Sequence, residues 1–179
     1  MPTIGRTLAT VKLGVHKTER ASVRSLVKNR IMISAGAHAI LRKIPFSQTP
    51  TDIELIEVSV SELGFNKLTR YDRICDRIKK RGLDLCPGEA AVMLREFCKD
   101  PTYQDVGQGM VGIGEWTLVA MEFVTDSCFG PSMFMIGDDS SGLWLHAFSL
   151  SSIHRPGAEE AAASHLFDPE ERLVVARRK

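Results

Sequence analysis

The segment Ile53-Glu-Leu-Ile-Glu-Val-Ser-Val60 carries apolar side chains on both faces of an extended chain. Successive side chains of a strand point to opposite faces, so Ile53 and Leu55 share one face while Ile56 and Val58 share the other. A strand that is apolar on both faces is typical of the interior of a sheet. The segment therefore predicts an inner strand, around which the other elements pack.

Helical spacing of apolar residues appears on both sides of this strand. Thr18, Ser34 and Thr69 are predicted N-caps, because their hydroxyls can accept hydrogen bonds from the free N–H groups of a first helical turn. The predicted helices cover 19–29, a segment from Ser34 through Leu41, 70–81 and 87–98.

After residue 115 the pattern changes to that of strands. These are predicted at Trp116–Val124, Ser132–Ile136, Leu143–Phe148 and Leu173–Ala176, with a further short strand near residues 9–15. Early helices followed by late antiparallel strands favour the α+β class. We expect a single domain over residues 1–179, with N-terminal helices packed on a mostly antiparallel sheet of four or five strands.

Composition limits the class of protein further. The chain has 179 residues, of which 44% are hydrophobic and 25% charged, as is usual for a globular protein. The first residues lack the apolar core of a signal peptide, and no apolar run approaches the roughly 18 residues of a membrane helix. Four cysteines without a CxxC pair predict reduced thiols, with two disulfides as the alternative. These features predict a cytoplasmic protein without a membrane partner.

Known cofactor and metal motifs are weakly represented. Residues 107–112 match GxGxxG, but the motif needs a strand before it and a helix after it to bind a dinucleotide. Here the pattern predicts a helix end before the glycines and a strand after them, so a Gly-rich loop over 105–114 is the favoured interpretation. No HExxH motif or paired Cys/His spacing is present. The sequence predicts neither a cofactor nor a metal ion.

Charge is distributed unevenly along the chain. Residues 1–50 contain nine Lys and Arg against one acidic residue, whereas residues 101–179 contain five against eleven. Helical spacing places basic side chains on one face of the helix at 19–29 and on one face of the helix at 70–81. Two adjoining basic faces would attract a nucleic acid or an acidic protein surface. We therefore expect a non-enzymatic binding module, whose predicted partner-binding residues are Arg20, Arg24, Lys28, Arg70, Arg73 and Arg77.

Two other functions stay open. A small hydrolytic enzyme would need Cys86 or Cys128 beside a histidine in a cleft, because a thiol becomes a nucleophile only when it is activated. No sequence signature identifies such a catalytic residue. A structural or oligomeric subunit is the third possibility, with the basic part of one copy meeting the acidic part of the next.

Part of the chain resembles a known group of proteins. The stretches Val58-Ser-Val-Ser-Glu-Leu-Gly-Phe65, Leu83-Asp-Leu-Cys-Pro-Gly-Glu89, Gly114-Glu-Trp-Thr-Leu-Val-Ala-Met-Glu122 and Gly142-Leu-Trp-Leu145 are similar to those of small bacterial proteins with no assigned activity. The resemblance implies a bacterial, cytoplasmic, single-domain protein and supplies no catalytic residues.

Overall fold

Strands and helices interleave along the chain in the computed structural model, which describes residues 4–98, 116–126, 128–150 and 162–177. The helices are α1 (Glu19–Lys28), α2 (Ala35–Leu41), α3 (Tyr71–Lys80) and α4 (Gly88–Phe97). The strands are β1 (Arg6–Leu13), β2 (Ile31–Ile33), β3 (Thr51–Ser59), β4 (Thr69–Arg70), β5 (Leu83–Asp84), β6 (Trp116–Val119), β7 (Val124–Asp126), β8 (Gly130–Asp139), β9 (Gly142–Ser149), β10 (Leu166–Phe167) and β11 (Arg172–Arg177).

Nine of these strands form one mixed sheet. Its order is β1-β3-β11-β6-β8-β9-β2, with β5 also paired to β11 and β7 also paired to β8. The pairs β2–β9 and β6–β11 are parallel, whereas the other pairs are antiparallel. Strands β4 and β10 form a separate two-stranded sheet. Strand β3 lies between β1 and β11, so the prediction of an inner strand is confirmed.

The predicted architecture of N-terminal helices on four or five antiparallel strands is wrong. The main sheet has nine strands within the described residues, and strands precede and separate the helices from β1 onward. Several missed strands are only two or three residues long, which is too short to display an alternating pattern. Parallel pairing joins segments that are distant in sequence, so local periodicity gives no signal for it.

Two of the three predicted N-caps, Thr18 and Ser34, are confirmed. The prediction for Thr69 is wrong, because its hydroxyl donates to the Lys67 carbonyl at 2.7 Å and α3 begins after Arg70 without a side-chain cap. The Thr18 hydroxyl accepts a hydrogen bond from the Ala21 N–H at 3.2 Å, and the Ser34 hydroxyl accepts one from the Ala37 N–H at 3.2 Å. The two caps begin α1 and α2, which enclose the three residues of β2 between them. Within the described ranges, no helix is long and apolar enough to cross a membrane.

Helix α4 lies inside a curved sheet. It packs against β1 and also against β8 and β9, although three strands separate β1 from β8 in the sheet order. The sheet therefore bends around this helix. Arg95 joins the two layers from a buried position, donating hydrogen bonds to the Gly137 and Cys98 carbonyls at 3.1 Å each. Burial lowers the pKa of the Arg95 guanidinium, and the acidic side chain of Asp138 opposes that shift.

Helix α2 approaches β9 at a glycine. A Cβ atom at Gly36 would lie 2.8 Å from the Ala147 Cβ, closer than packed carbon atoms allow. The missing side chain therefore sets the distance between α2 and β9. This contact fixes the position of the first turn of α2 beside the end of β2.

Glu57 is a buried carboxylate on β3 that joins three strands. Its Oε2 atom accepts hydrogen bonds from Arg6 of β1 at 2.9 Å and from Arg172 of β11 at 2.8 Å. The side chain of Glu57 is 4% exposed, whereas those of Arg6 and Arg172 are 36% and 61% exposed. A buried carboxylate needs such partners because its desolvation is otherwise unfavourable.

Replacing the buried carboxylate tests this ion triad. Glu57→Gln is expected to lower the free energy of unfolding by about 2 kcal/mol, because two guanidinium groups lose their anionic partner at a buried position. Urea unfolding followed by circular dichroism measures the change.

The matched control is Glu54→Gln on the same strand. Glu54 lies 3.5 Å from Arg177 and its side chain is 31% exposed, so the expected loss is about 0.5 kcal/mol. Equal effects of the two substitutions would contradict a special role for the triad.

Candidate functional site

Two of the cavities on the described surface lie beside strands of the main sheet. The larger, of about 610 Å³, lies where β1, β3 and β11 meet the linker between β5 and α4. Its rim carries charges of both signs, and two of them belong to ion pairs with neighbouring residues, Asp52 with Lys12 and Arg177 with Glu54. This rim has no dominant charge that would select one kind of ligand. Its charged residues are Asp52, Lys79, Asp84, Glu122 and Arg177.

The second cavity, of about 550 Å³, has a more specific chemistry. It lies over β2 and is bounded by the end of α1, by α2 and by β9. Its lining combines apolar side chains with an arginine, a histidine and a tryptophan, and contains no acidic residue. We call it the β2 cleft; its residues are Val27, Arg30, Ile31, Met32, Ile33, His38 and Trp144.

The position of the cleft follows from the pairing of β2. Residues Ile31–Ile33 pair in parallel with Leu143–Leu145 of β9, and the Ser34 N–H extends the ladder by donating to the Leu145 carbonyl at 3.1 Å. Strand β2 ends the sheet order within the described residues. The cleft therefore lies at a sheet edge, where both the aromatic side chain of β9 and the helix ends can reach it.

Trp144 is held in place by polar and aromatic contacts. Its indole Nε1–H donates to the Ser141 hydroxyl at 3.1 Å, and that hydroxyl in turn bonds to Asp139. The hydrogen bonds from Ser141 lower the pKa of the Asp139 carboxyl, so this side chain is ionised at neutral pH. On the other side, the ring of His146 lies 6.2 Å from the Trp144 ring, between centroids, and 5.6 Å from that of Trp116. The indole is consequently a fixed flat surface.

Three of the predicted binding residues are exposed along α1. Arg20 and Arg24 precede the cleft residue Val27 by seven and three positions, so the three side chains share one helix face. Lys28 adds a third cation in the last turn. Within the described residues, none of the three basic side chains takes part in a salt bridge. We call this set, Arg20, Arg24 and Lys28, the α1 stripe.

The other three predicted binding residues lie on or beside α3, and two of them have partners within the fold. Arg70 forms an ion pair with Asp72 at 2.7 Å. Arg77 donates to the Leu63 carbonyl at 3.0 Å and lies 4.9 Å from the centre of the Phe65 ring. Arg73 is exposed.

The two basic helices pack on different strands. Helix α1 packs against β2 and α4, whereas α3 packs against β4 and β5, and β5 in turn pairs with β11. Strands β6, β8 and β9 separate β11 from β2, which corresponds to roughly 19 Å across the sheet. Only the α1 part of the predicted basic surface therefore adjoins the β2 cleft.

The cysteines were the candidates for nucleophilic catalysis. None of the four described cysteines forms a disulfide bond, in agreement with the predicted thiols. The buried Cys86 donates to the Val174 carbonyl at 3.5 Å, and burial raises its pKa far above the usual range. Burial likewise raises the pKa of Cys75 to about 11 and that of Cys98 above its ordinary value. These three thiols are protonated at neutral pH, which disfavours them as nucleophiles.

The described histidines occupy separate surroundings. His16 bonds to Glu96 at 2.9 Å, His146 lies between the two tryptophans, and His165 packs against Phe148 and Phe167. His38 lines the β2 cleft. His154 and the Gly-rich segment 105–114 lie outside the described residues. In the described ranges, no group of three or more His, Cys, Asp or Glu residues could hold a metal ion.

None of the seven residues that line the β2 cleft was among the predicted partner-binding residues; those with polar or aromatic chemistry are Arg30, His38 and Trp144. One feature of the sequence pointed to Arg30. This residue directly follows Asn29, the predicted end of a helix, at a position where glycine is usual. The meeting of Trp144 with α1 depends on the parallel β2–β9 pair and had no local signal.

Comparison with known proteins gives no additional assignment. No family model matches the chain, and neither a curated protein nor a solved structure matches it. The chemistry of the β2 cleft is therefore derived from its own residues.

Thiol labelling tests the argument against a cysteine nucleophile. With iodoacetamide at about pH 8, Cys128 is expected to react first because it is exposed. Cys75 is expected to have a thiolate fraction about a hundredfold below that of an unperturbed thiol, and Cys86 a still smaller one. Peptide mass spectrometry of the folded protein identifies the modified residue, and Cys128→Ser provides the control. Rapid modification of Cys86 in the folded chain would favour the enzyme hypothesis.

Proposed function

We propose that this chain is a non-enzymatic binding module for single-stranded nucleic acid, which it binds through the α1 stripe and the β2 cleft. The observation that carries the proposal is the alignment of unpaired cations with a cleft that contains an arginine and a tryptophan and no acidic lining. Because none of the four cysteines forms a disulfide bond, we place this activity in the cytoplasm, where thiols stay reduced.

The α1 stripe supplies the contacts to phosphate. Arg20 and Arg24 are spaced by one helical turn, about 5–6 Å, which is close to the spacing of phosphates along an extended strand. Since no acidic side chain pairs with the stripe in the described part, its charge remains available for a polyanion. Neutralising each phosphate releases counterions and makes the affinity depend on salt.

The β2 cleft supplies the contact to a base. Single-stranded binding sites combine a positive groove with aromatic rings, on which unpaired bases stack. Trp144 is such a ring, in contact with Ser141 and His146, and the apolar side chains of Val27 and Met32 line the same cleft. An acidic peptide could be attracted by the same cations, but it would gain nothing from the flat indole. The aromatic component therefore favours nucleic acid over an acidic protein surface.

A salt series with charge-reversal variants tests the electrostatic part. Fluorescence anisotropy with a labelled oligonucleotide of about 12 nucleotides is expected to give a slope of log affinity against log salt near −2, as the three cations of the α1 stripe predict at about −0.7 each. Arg20→Glu with Arg24→Glu is expected to reduce the magnitude of the slope by about 1.4 and to weaken binding at low salt.

The matched control changes the same amount of charge on the other basic helix. Arg73 and Lys80 are both exposed on α3, and Arg73→Glu with Lys80→Glu is expected to leave the slope nearly unchanged. An equal loss in both double variants would contradict a site at the β2 edge. Displacement of the oligonucleotide by polyglutamate at equal charge concentration would favour an acidic peptide as the partner instead.

Tryptophan fluorescence tests the stacking contact separately. In Trp116→Leu, the remaining tryptophan is Trp144, whose emission is expected to fall when the oligonucleotide binds. Trp144→Leu is expected to weaken binding about tenfold or more, because base stacking on an aromatic ring contributes about 1–3 kcal/mol. Trp116→Leu serves as the control for affinity, since this exposed tryptophan does not line the cleft. Unchanged Trp144 emission at saturating oligonucleotide would contradict stacking in the cleft.

A further inference from the structure

We infer that Arg30 is the specificity-determining residue of the β2 cleft and selects guanine, by donating to the O6 and N7 atoms of a base stacked on Trp144. This inference rests on the proposed function and adds the base that the cleft prefers. It follows from the backbone conformation of Arg30, from its unused donors and from the chemistry of the cleft around it.

The backbone of Arg30 is unusual for an arginine. Its φ angle is 58°, and it is the only described residue other than glycine with a positive φ. It directly follows Asn29, the C-cap of α1, and its N–H donates to the Val27 carbonyl at 3.0 Å. Glycine is the preferred residue at this position because it has no Cβ to strain the left-handed conformation. The fold alone would therefore favour glycine here.

The side chain of Arg30 is not used by the fold. It is exposed, and within the described residues its guanidinium takes part in no hydrogen bond or salt bridge. It nevertheless lines the cleft beside Trp144 and His38. A strained residue whose side chain faces a cleft and makes no contact with its own fold indicates a role in ligand binding.

The guanidinium chemistry selects among the bases. A guanidinium offers only donors, arranged as a planar fork that fits two neighbouring acceptors. Guanine presents O6 and N7 side by side, whereas the same edge of adenine presents one donor and one acceptor. Cytosine also has two adjacent acceptors, but its single ring covers less of the indole. The combination of an arginine fork and a tryptophan face therefore favours guanine.

Changing one base of the oligonucleotide tests whether the β2 cleft prefers guanine. Four oligothymidylates of about 12 nucleotides are compared, each with one central base: guanine, adenine, cytosine or 7-deazaguanine. The 7-deazaguanine base lacks the N7 acceptor of guanine. The wild-type protein is expected to bind the guanine strand about tenfold more tightly than the adenine strand. The 7-deazaguanine strand is expected to lose most of that advantage.

Two substitutions of Arg30 separate base recognition from charge and from folding. Arg30→Lys keeps the cation and the backbone strain, and is expected to abolish the preference for guanine while binding the adenine strand within about threefold of wild type. Arg30→Gly is expected to abolish the same preference and to raise the melting temperature by about 2–4 °C, because the left-handed conformation is unstrained for glycine. A rise in melting temperature excludes misfolding as the cause of lost recognition.

The outcomes distinguish failure of this inference from failure of the proposed function. Equal binding of the guanine, adenine and 7-deazaguanine strands by the wild-type protein would overturn recognition of guanine. If Arg30→Gly weakened binding to all strands equally while Arg30→Lys bound them as the wild type does, Arg30 would be assigned to a phosphate. That result would also overturn recognition of guanine. Absence of binding to every strand at low salt would instead refute the proposed function itself.

Discussion

The parallel pairing of β2 with β9 is the interaction on which the candidate site depends. Three residues, Ile31–Ile33, attach to the backbone of Leu143–Leu145, and both flanking helices are anchored by this short ladder. The end of α1 and the first turn of α2 are thereby placed on the sheet edge, next to Trp144. Gly36 completes the arrangement because its missing side chain lets α2 approach β9 closely. Without this pairing, the cations of α1 and the indole of β9 would belong to separate parts of the molecule.

Elements of the fold that have a pattern within one short segment could be predicted from the sequence, whereas contacts between distant segments could not. The helices at 19–29, 70–81 and 87–98 and the inner strand at 53–60 were visible, because helical periodicity, caps and apolar runs lie within single segments. The sheet was underestimated because strands of two or three residues carry no period, and because both parallel pairs join segments far apart in sequence. The same limit applied to the site. Helical spacing identified the α1 stripe. Its separation from α3 and its proximity to Trp144, however, depend on the tertiary structure.

The charged residues of this unevenly charged sequence differ in whether the fold gives them an oppositely charged partner. Several basic residues outside α1 meet carboxylates that the fold brings to them, while the three cations of the α1 stripe have no such partner among the described residues. This division gives the +1 chain a local positive surface without a large net charge. The pairs are Arg6 and Arg172 with Glu57, Lys12 with Asp52, Lys43 with Asp126, Arg70 with Asp72, and Arg177 with Glu54.

The two parts of the site differ in rigidity, and this difference assigns them different tasks. The arginines of the α1 stripe are long, exposed side chains that would lose conformational entropy on binding the proposed phosphates, so each contact would add little net affinity and tolerate varied phosphate positions. Trp144, in contrast, is fixed in advance by Ser141 and His146 at the end of the β8–β9 hairpin. A group that is already ordered binds with a smaller entropic penalty and imposes a defined geometry on its ligand. In the proposed function, attraction would therefore belong to the helix and discrimination to the sheet edge, with Arg30 at the junction between them.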